Sequence, residues 1–271
     1  MIRDITIGQY FAGKSMLHRL DARMKIVLSL VFIITIFLCK NFLSLGLVVI
    51  FTLFLIFISK IPVKMILKSL KPIVVIVIFT AFLNLLYSKG GDVLLKYWVF
   101  EITEKGLYSA IFMAVRIICL VTGTSLLTYT TTPTALTGAI ESLLSPLKVF
   151  RVDVHTFAMM MTLALRFIPT LIEEIDRIMS AQKARGADLE SGGLISRAKA
   201  LIPIFIPLFV SSFRRAYELA YAMECRCYNG GKGRTSMKSM HLKIMDFMAM
   251  LAVILLIVAI IVLNFYFKAV I

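Results

Sequence analysis

Two arginines stand where apolar helical patterns stop. One closes "SAQKARG" at Ala184-Arg185-Gly186, and the other closes "AMECRCY" at Cys225-Arg226-Cys227. An arginine at a helix C-terminus is favoured by the helix dipole by roughly 0.3–1 kcal/mol, which accounts easily for one of them. A guanidinium left unobstructed by small neighbours has a second use: its fork makes two parallel bonds to a carboxylate or to carbonyls of another molecule. Seated in a partner's pocket, such an arginine contributes about 2 kcal/mol or more. The dipole explains less well why the arrangement recurs on a second helix. Two such ends fit two plugs entering two sockets.

Other chemistry is thinly represented. None of the fifteen acids lies deep in an apolar run, whereas membrane enzymes and proton-driven pumps place ionisable groups at membrane depth. His18, His155 and His241 lie outside those runs and form no H-E-x-x-H pattern. There is no G-x-S-x-G nucleophile turn. "GGKGRT" at 230–235 departs from a phosphate loop because glycine, not serine or threonine, follows Lys232. Cys225 and Cys227 lack the companion ligands of a zinc site. These absences argue against an enzyme, a metal centre or a cofactor site in this chain. Arg116 is the one charge inside an apolar run. It is either a partnered group in a polar path or a structural arginine bonding loop carbonyls.

The elements that carry these residues follow from composition. The chain has 271 residues, 60% of them hydrophobic, with a formal charge of +15. Soluble domains are roughly 45–50% apolar, so a membrane protein is expected. Five spans are predicted, at residues 24–39, 42–59, 72–88, 106–128 and 244–267. Lys40-Asn41 makes the first two a tight hairpin, and Asp21 is placed to cap the first. Gly90-Gly91 marks a turn in an external loop that also holds Trp98. No cleavable leader is read in the first thirty residues.

With the N-terminus cytoplasmic, 24 of the 30 lysines and arginines fall inside and 5 outside, which sets the orientation. The C-terminus is then outside. Lys64, Lys68 and Lys71 form a basic stripe facing anionic headgroups.

Three parts are expected. Residues 1–129 hold the N-terminal arm and four spans, 130–228 a cytoplasmic domain, and 229–271 a basic loop and the last span. The middle part opens with a short amphipathic helix, Thr132 capping it ahead of Pro133. Two long amphipathic helices follow, joined by "ADLESGG". The first carries a stripe through Met161, Leu165, Ile168 and Ile172, and Gly186 stops it. The second carries Leu201, Phe205 and Leu208. Each contains Phe-Ile-Pro, ending at Pro169 and Pro207. These prolines are hinge candidates, or ordinary prolines of buried helices. The fold class expected is an all-α membrane protein with about five transmembrane helices and a helical coupling domain.

The stretches "GQYFAGKSMLHRLDARMK", "TLALRFIPTLIEEIDRIMSAQKARG" and "AMECRCY" resemble the transmembrane T component of energy-coupling factor (ECF) transporters, the EcfT/CbiQ-like family. These are bacterial and archaeal ABC-type importers of vitamins and transition-metal ions. The resemblance covers nearly the whole chain. It departs from the family where Ala22 replaces a common proline and where Cys225 and Cys227 replace small residues.

The resemblance implies two cytoplasmic ATPase subunits that bind ATP and magnesium and receive Arg185 and Arg226. It also implies a small membrane-embedded S component that packs on the apolar stripes. This chain would then transmit motion, with no cofactor and no nucleic-acid partner, and would lie in the cytoplasmic membrane. The rival reading is a secondary permease or channel that carries substrate itself. Such a protein wants broken helices and polar groups at the midplane, which are sparse here.

Overall fold

The computed structural model describes residues 10–87, 93–97, 100–150, 153–187, 193–230 and 241–267. The predicted turn at Gly90-Gly91, Trp98, most of the connector after Ala187, and the basic loop beyond Gly230 lie outside the described residues. Among the described residues the regular structure is helical apart from one small antiparallel hairpin, β1 (Val93–Tyr97) with β2 (Phe100–Thr103). It divides into two units, residues 10–139 with 241–267, and residues 140–230.

The first unit holds α1 (Met16–Arg19), α2 (Ala22–Leu38), α3 (Phe42–Ser59), α4 (Val63–Tyr87), α5 (Glu104–Thr130) and α9 (Ile244–Tyr266). α6 (Pro133–Leu144) leads into the second, which contains a 3-10 turn (Ser145–Phe150), α7 (Val154–Ala184) and α8 (Leu194–Glu224). The capping signals read from the sequence operate. Asp21 Oδ1 accepts the Arg23 N–H at 2.9 Å, and Thr132 Oγ1 accepts the Ala135 N–H at 3.2 Å.

Phe32, Ile36, Val48, Phe112, Leu256 and Ile260 form the core of the first unit, between α2, α3, α5 and α9. Gly123 permits that packing, because a Cβ there would overlap the Phe32 ring. Outward-facing residues are large and apolar. Phe57 is 83% exposed, as suits a surface solvated by hydrocarbon.

The polar groups of this unit are spent on helix ends. Asn41 Nδ2 donates to Leu263 O and Phe267 O, while Asn264 Nδ2 donates to Leu38 O at 2.7 Å. The α2–α3 hairpin and the end of α9 thus cap one another. At the opposite end of α2, the fully buried carboxylate of Asp246 accepts the Asp21 N–H at 2.8 Å and the Lys243 N–H at 2.7 Å. Lys25 Nζ donates to Thr130 O at 2.9 Å, fastening α2 to the end of α5.

Six helices have the length and apolar content to cross a bilayer: α3, α4, α5, α7, α8 and α9. α2, with 17 residues, is shorter. One boundary differs from expectation. The basic stripe at 61–71 and the span at 72–88 are a single helix, α4, with Pro72 inside it. Proline removes one backbone hydrogen bond. The rest of a 25-residue helix, whose basic turn is continuous with an apolar run, outweighs that loss.

Candidate functional site: two arginine-tipped helices

The second unit is built on α7 and α8, each of 31 residues and hence about 46 Å long. Asp153 caps α7, accepting the Thr156 N–H at 3.3 Å. His155 and Glu141, 2.8 Å apart, tie α7 to α6. Side chains tie α7 to α8. Arg215 Nη2 donates to Glu174 Oε2 at 2.8 Å, and Gln182 Nε2 donates to Pro203 O at 3.4 Å. From one tie to the next α7 advances from Glu174 to Gln182 while α8 runs back from Arg215 to Pro203, the order an antiparallel pair requires.

The ends of α7 and α8 are the same structure. At the first, the Gly186 N–H bonds Lys183 O at 3.0 Å and the Ala187 N–H bonds Gln182 O at 3.0 Å. At the second, the Cys227 N–H bonds Glu224 O at 2.8 Å and the Tyr228 N–H bonds Met223 O at 3.0 Å. This pairing of a six-residue with a four-residue return is the Schellman motif. The residue after each cap is left-handed, with φ +85° at Gly186 and +57° at Cys227. Arg185 and Arg226 therefore occupy the same position relative to their helices.

The second motif, with Cys225 and Cys227 where the first has Ala184 and Gly186, keeps the geometry of the first. Cys227 does at positive φ what Gly186 does. Ala184, Arg185, Gly186, Cys225, Arg226 and Cys227 are all exposed. Among the described residues neither guanidinium makes a hydrogen bond or an ion pair within the chain. Since Gln182 touches Pro203, the two tips are separated by roughly the helix from Pro203 to Arg226, about 35 Å at 1.5 Å per residue.

The predicted stripes divide. Met161, Leu201 and Phe205 are exposed, whereas Leu165, Ile168, Ile172 and Leu208 are half-buried. The exposed face of α8 is instead an aromatic ridge, Phe205, Phe209, Phe213, Tyr217 and Tyr221, each more than half exposed. Spacing by four is the signal that finds it, and the sequence reading followed a mixed three-and-four pattern past it. Pro169 and Pro207 both lie inside continuous helices, and α8 holds Pro203 as well.

Arg116, on α5, donates from Nη2 to Cys39 O at 2.7 Å and lies over the Phe112 ring, 4.7 Å from its centroid. It caps the end of α2, the structural use of the two considered. Among the described residues no group of three or more potential metal-ligating side chains gathers.

Residues 13–237 match the family model described as CbiQ, cobalt transport protein. The chain is 51% identical to the energy-coupling factor transporter transmembrane protein EcfT of Clostridium kluyveri, over 95% of this chain and 96% of that one. It is 52% identical to the EcfT of Ruminiclostridium cellulolyticum, over 89% and 90% of the two chains. With the EcfT of Bacillus subtilis it shares 41% identity over 89% and 91%.

Proposed function

This chain belongs to the EcfT/CbiQ family of energy-coupling factor transporter transmembrane proteins, multi-pass and non-catalytic, and we propose that it works by carrying ATP-driven motion from two ATPase subunits to a substrate-binding S component. The observation that carries this reading is the identity of the two helix ends. A Schellman end is common among helices; what these two share beyond it is an exposed guanidinium at the same position, without a partner among the described residues. A spacing of about 35 Å suits two separate grooves, one on each of two soluble subunits.

ATP and magnesium belong to those subunits. Arg185 and Arg226, with Ala184, Gly186, Cys225 and Cys227 around them, are the contacts. The S component packs against the exposed apolar side of α7 and α8. Side chains spaced by four form a ridge inclined to the helix axis, and a partner helix packed on it by the same kind of ridge crosses at about 50°. The aromatic run on α8 is such a ridge, and Met161, Leu201 and Phe205 lie on exposed apolar surface. The cargo is a vitamin or a transition-metal ion. The arginine ends, the N-terminus and the basic stripe on α4 face the cytoplasm, and the C-terminus faces out.

The test is co-expression with the two ATPases and reconstitution in liposomes. Arg185→Ala and Arg226→Ala are each expected to weaken ATPase association by about 2 kcal/mol, close to thirtyfold, and to lower uptake in proportion. A double alanine variant that still co-purifies with both ATPases and transports at the normal rate makes the arginines mere caps. A lone chain that moves substrate in liposomes makes it a permease.

A further inference from the structure

Pro207 sits within α8 and has no N–H, so the carbonyl four residues earlier, on Pro203, lacks its helical donor. The donor comes from the other helix. Gln182 Nε2 reaches Pro203 O at 3.4 Å. The backbone carbonyl of the same glutamine accepts the Arg185 N–H at 3.1 Å and the Ala187 N–H at 3.0 Å. It is therefore the acceptor on which the Schellman end of α7 closes. One residue joins the proline segment of α8 to the turn that aims Arg185. Gln182 is half-buried and three residues from the arginine, so displacement of its side chain is passed to the tip through less than one helical turn.

We infer that Gln182 is a positioning residue for transport. It holds the Pro203–Pro207 segment of α8 and the Arg185 tip of α7 as one body. The inference rests on the coupling role proposed above. The chemistry needed is that of a hydrogen-bond donor facing a carbonyl freed by proline. Glutamine and lysine supply a donor; glutamate at neutral pH supplies only acceptors and repels the carbonyl oxygen. The requirement exists only while residue 207 lacks an N–H. With alanine there, α8 supplies its own donor to Pro203 O.

The experiment measures substrate taken up per ATP hydrolysed by the complete complex in proteoliposomes, at matched complex yield. Gln182→Glu is expected to lower that ratio fivefold or more, and Gln182→Lys to restore at least half of it. In a Pro207→Ala background the effect of Gln182→Glu should shrink to less than twofold, since the site it served no longer exists. If Pro207→Ala by itself abolishes uptake, the contrast between glutamate and lysine decides the matter. A ratio unchanged by Gln182→Glu, equal losses for glutamate and lysine, or the same loss with and without Pro207 overturns the inference. Arg185→Ala runs beside them. If it and Arg226→Ala leave the ratio intact, the coupling reading fails and takes this role with it. If they lower it while the Gln182 variants do not, the Gln182 inference fails alone.

Discussion

The two matched helix ends make opposite demands on matched substitutions. Gly186 and Cys227 both hold positive φ, but only one of them is glycine. A side chain in the left-handed region costs roughly 1–2 kcal/mol. Part of this is offset because glycine gives the unfolded chain extra freedom, about 0.4–1 kcal/mol. A Cβ added at Gly186 meets nothing within 4 Å, so no steric contact alters the balance. Gly186→Ala is therefore expected to weaken the end of α7 by about 1 kcal/mol, and Cys227→Gly to strengthen the end of α8 by about the same.

Local opening reports this better than global unfolding, because a helix end opens without the rest of the chain. Hydrogen exchange followed by mass spectrometry on peptides covering 181–187 and 221–228 reads the bonded amides of each turn. About 1 kcal/mol corresponds to roughly fivefold in exchange rate. Exchange should quicken at the first end in Gly186→Ala and slow at the second in Cys227→Gly. Changes in the same direction at both ends, or changes under twofold, would refute the claim that the two ends are one motif.

Asp246→Ala removes a buried carboxylate that accepts two backbone N–H groups. It should cost about 2–3 kcal/mol, seen as a lower melting temperature in detergent, with Asp246→Asn intermediate. Arg116→Met keeps the apolar stem and loses the bond to Cys39 O. It should destabilise by about 1–3 kcal/mol in the same measurement while uptake per folded complex stays normal; loss of uptake without loss of stability would restore the polar-path reading of Arg116.

The spans were legible because each is an uninterrupted apolar run bounded by a cap or a lysine. α3 has the predicted limits, and α9 and α5 differ by two residues or fewer at each end. Pro72 misled because a proline looks like a boundary in a sequence, although within a long helix it deletes only one bond. The arginine ends were legible as positions. Their equivalence was hidden, since cysteine in place of glycine conceals a shared left-handed turn that only the backbone reveals. Gln182 was invisible for a different reason. A glutamine in an amphipathic helix carries no motif, and its partner is a carbonyl defined by a missing N–H on another helix. A proline always frees the carbonyl four residues before it, so the sequence did mark Pro203 as an acceptor needing a donor. What it could not supply was which helix would bring one. Asp246 hid in the same way, because one of its two donors, the Asp21 N–H, stands at the start of α2, far away in the chain.

The position of the two ties has a mechanical consequence for the proposed coupling. Glu174–Arg215 and Gln182–Pro203 bind the last third of α7 to the first two-thirds of α8. Arg185 lies beside the tied stretch, and Arg226 lies at the far end of an arm about 35 Å from Pro203. Only the eleven residues beyond the Glu174–Arg215 tie, about 16 Å of α8, are free of the pair, so a bend of about 10° there leaves the first tip nearly still and carries the second by about 3 Å. If the two ATPases approach each other on binding nucleotide, the arm bearing Arg226 takes up most of the displacement, and the outer end of the aromatic ridge, Tyr217 and Tyr221, travels with it. The S component would then be moved by the α8 surface, while the Arg185 end serves as the anchor. This is why the bond at Gln182, near the anchor, should matter more to coupling than the better-formed ion pair at Glu174. A partly exposed pair is worth only about 0–1 kcal/mol, whereas loss of the Gln182 donor also leaves Pro203 O without the partner that its own helix cannot supply.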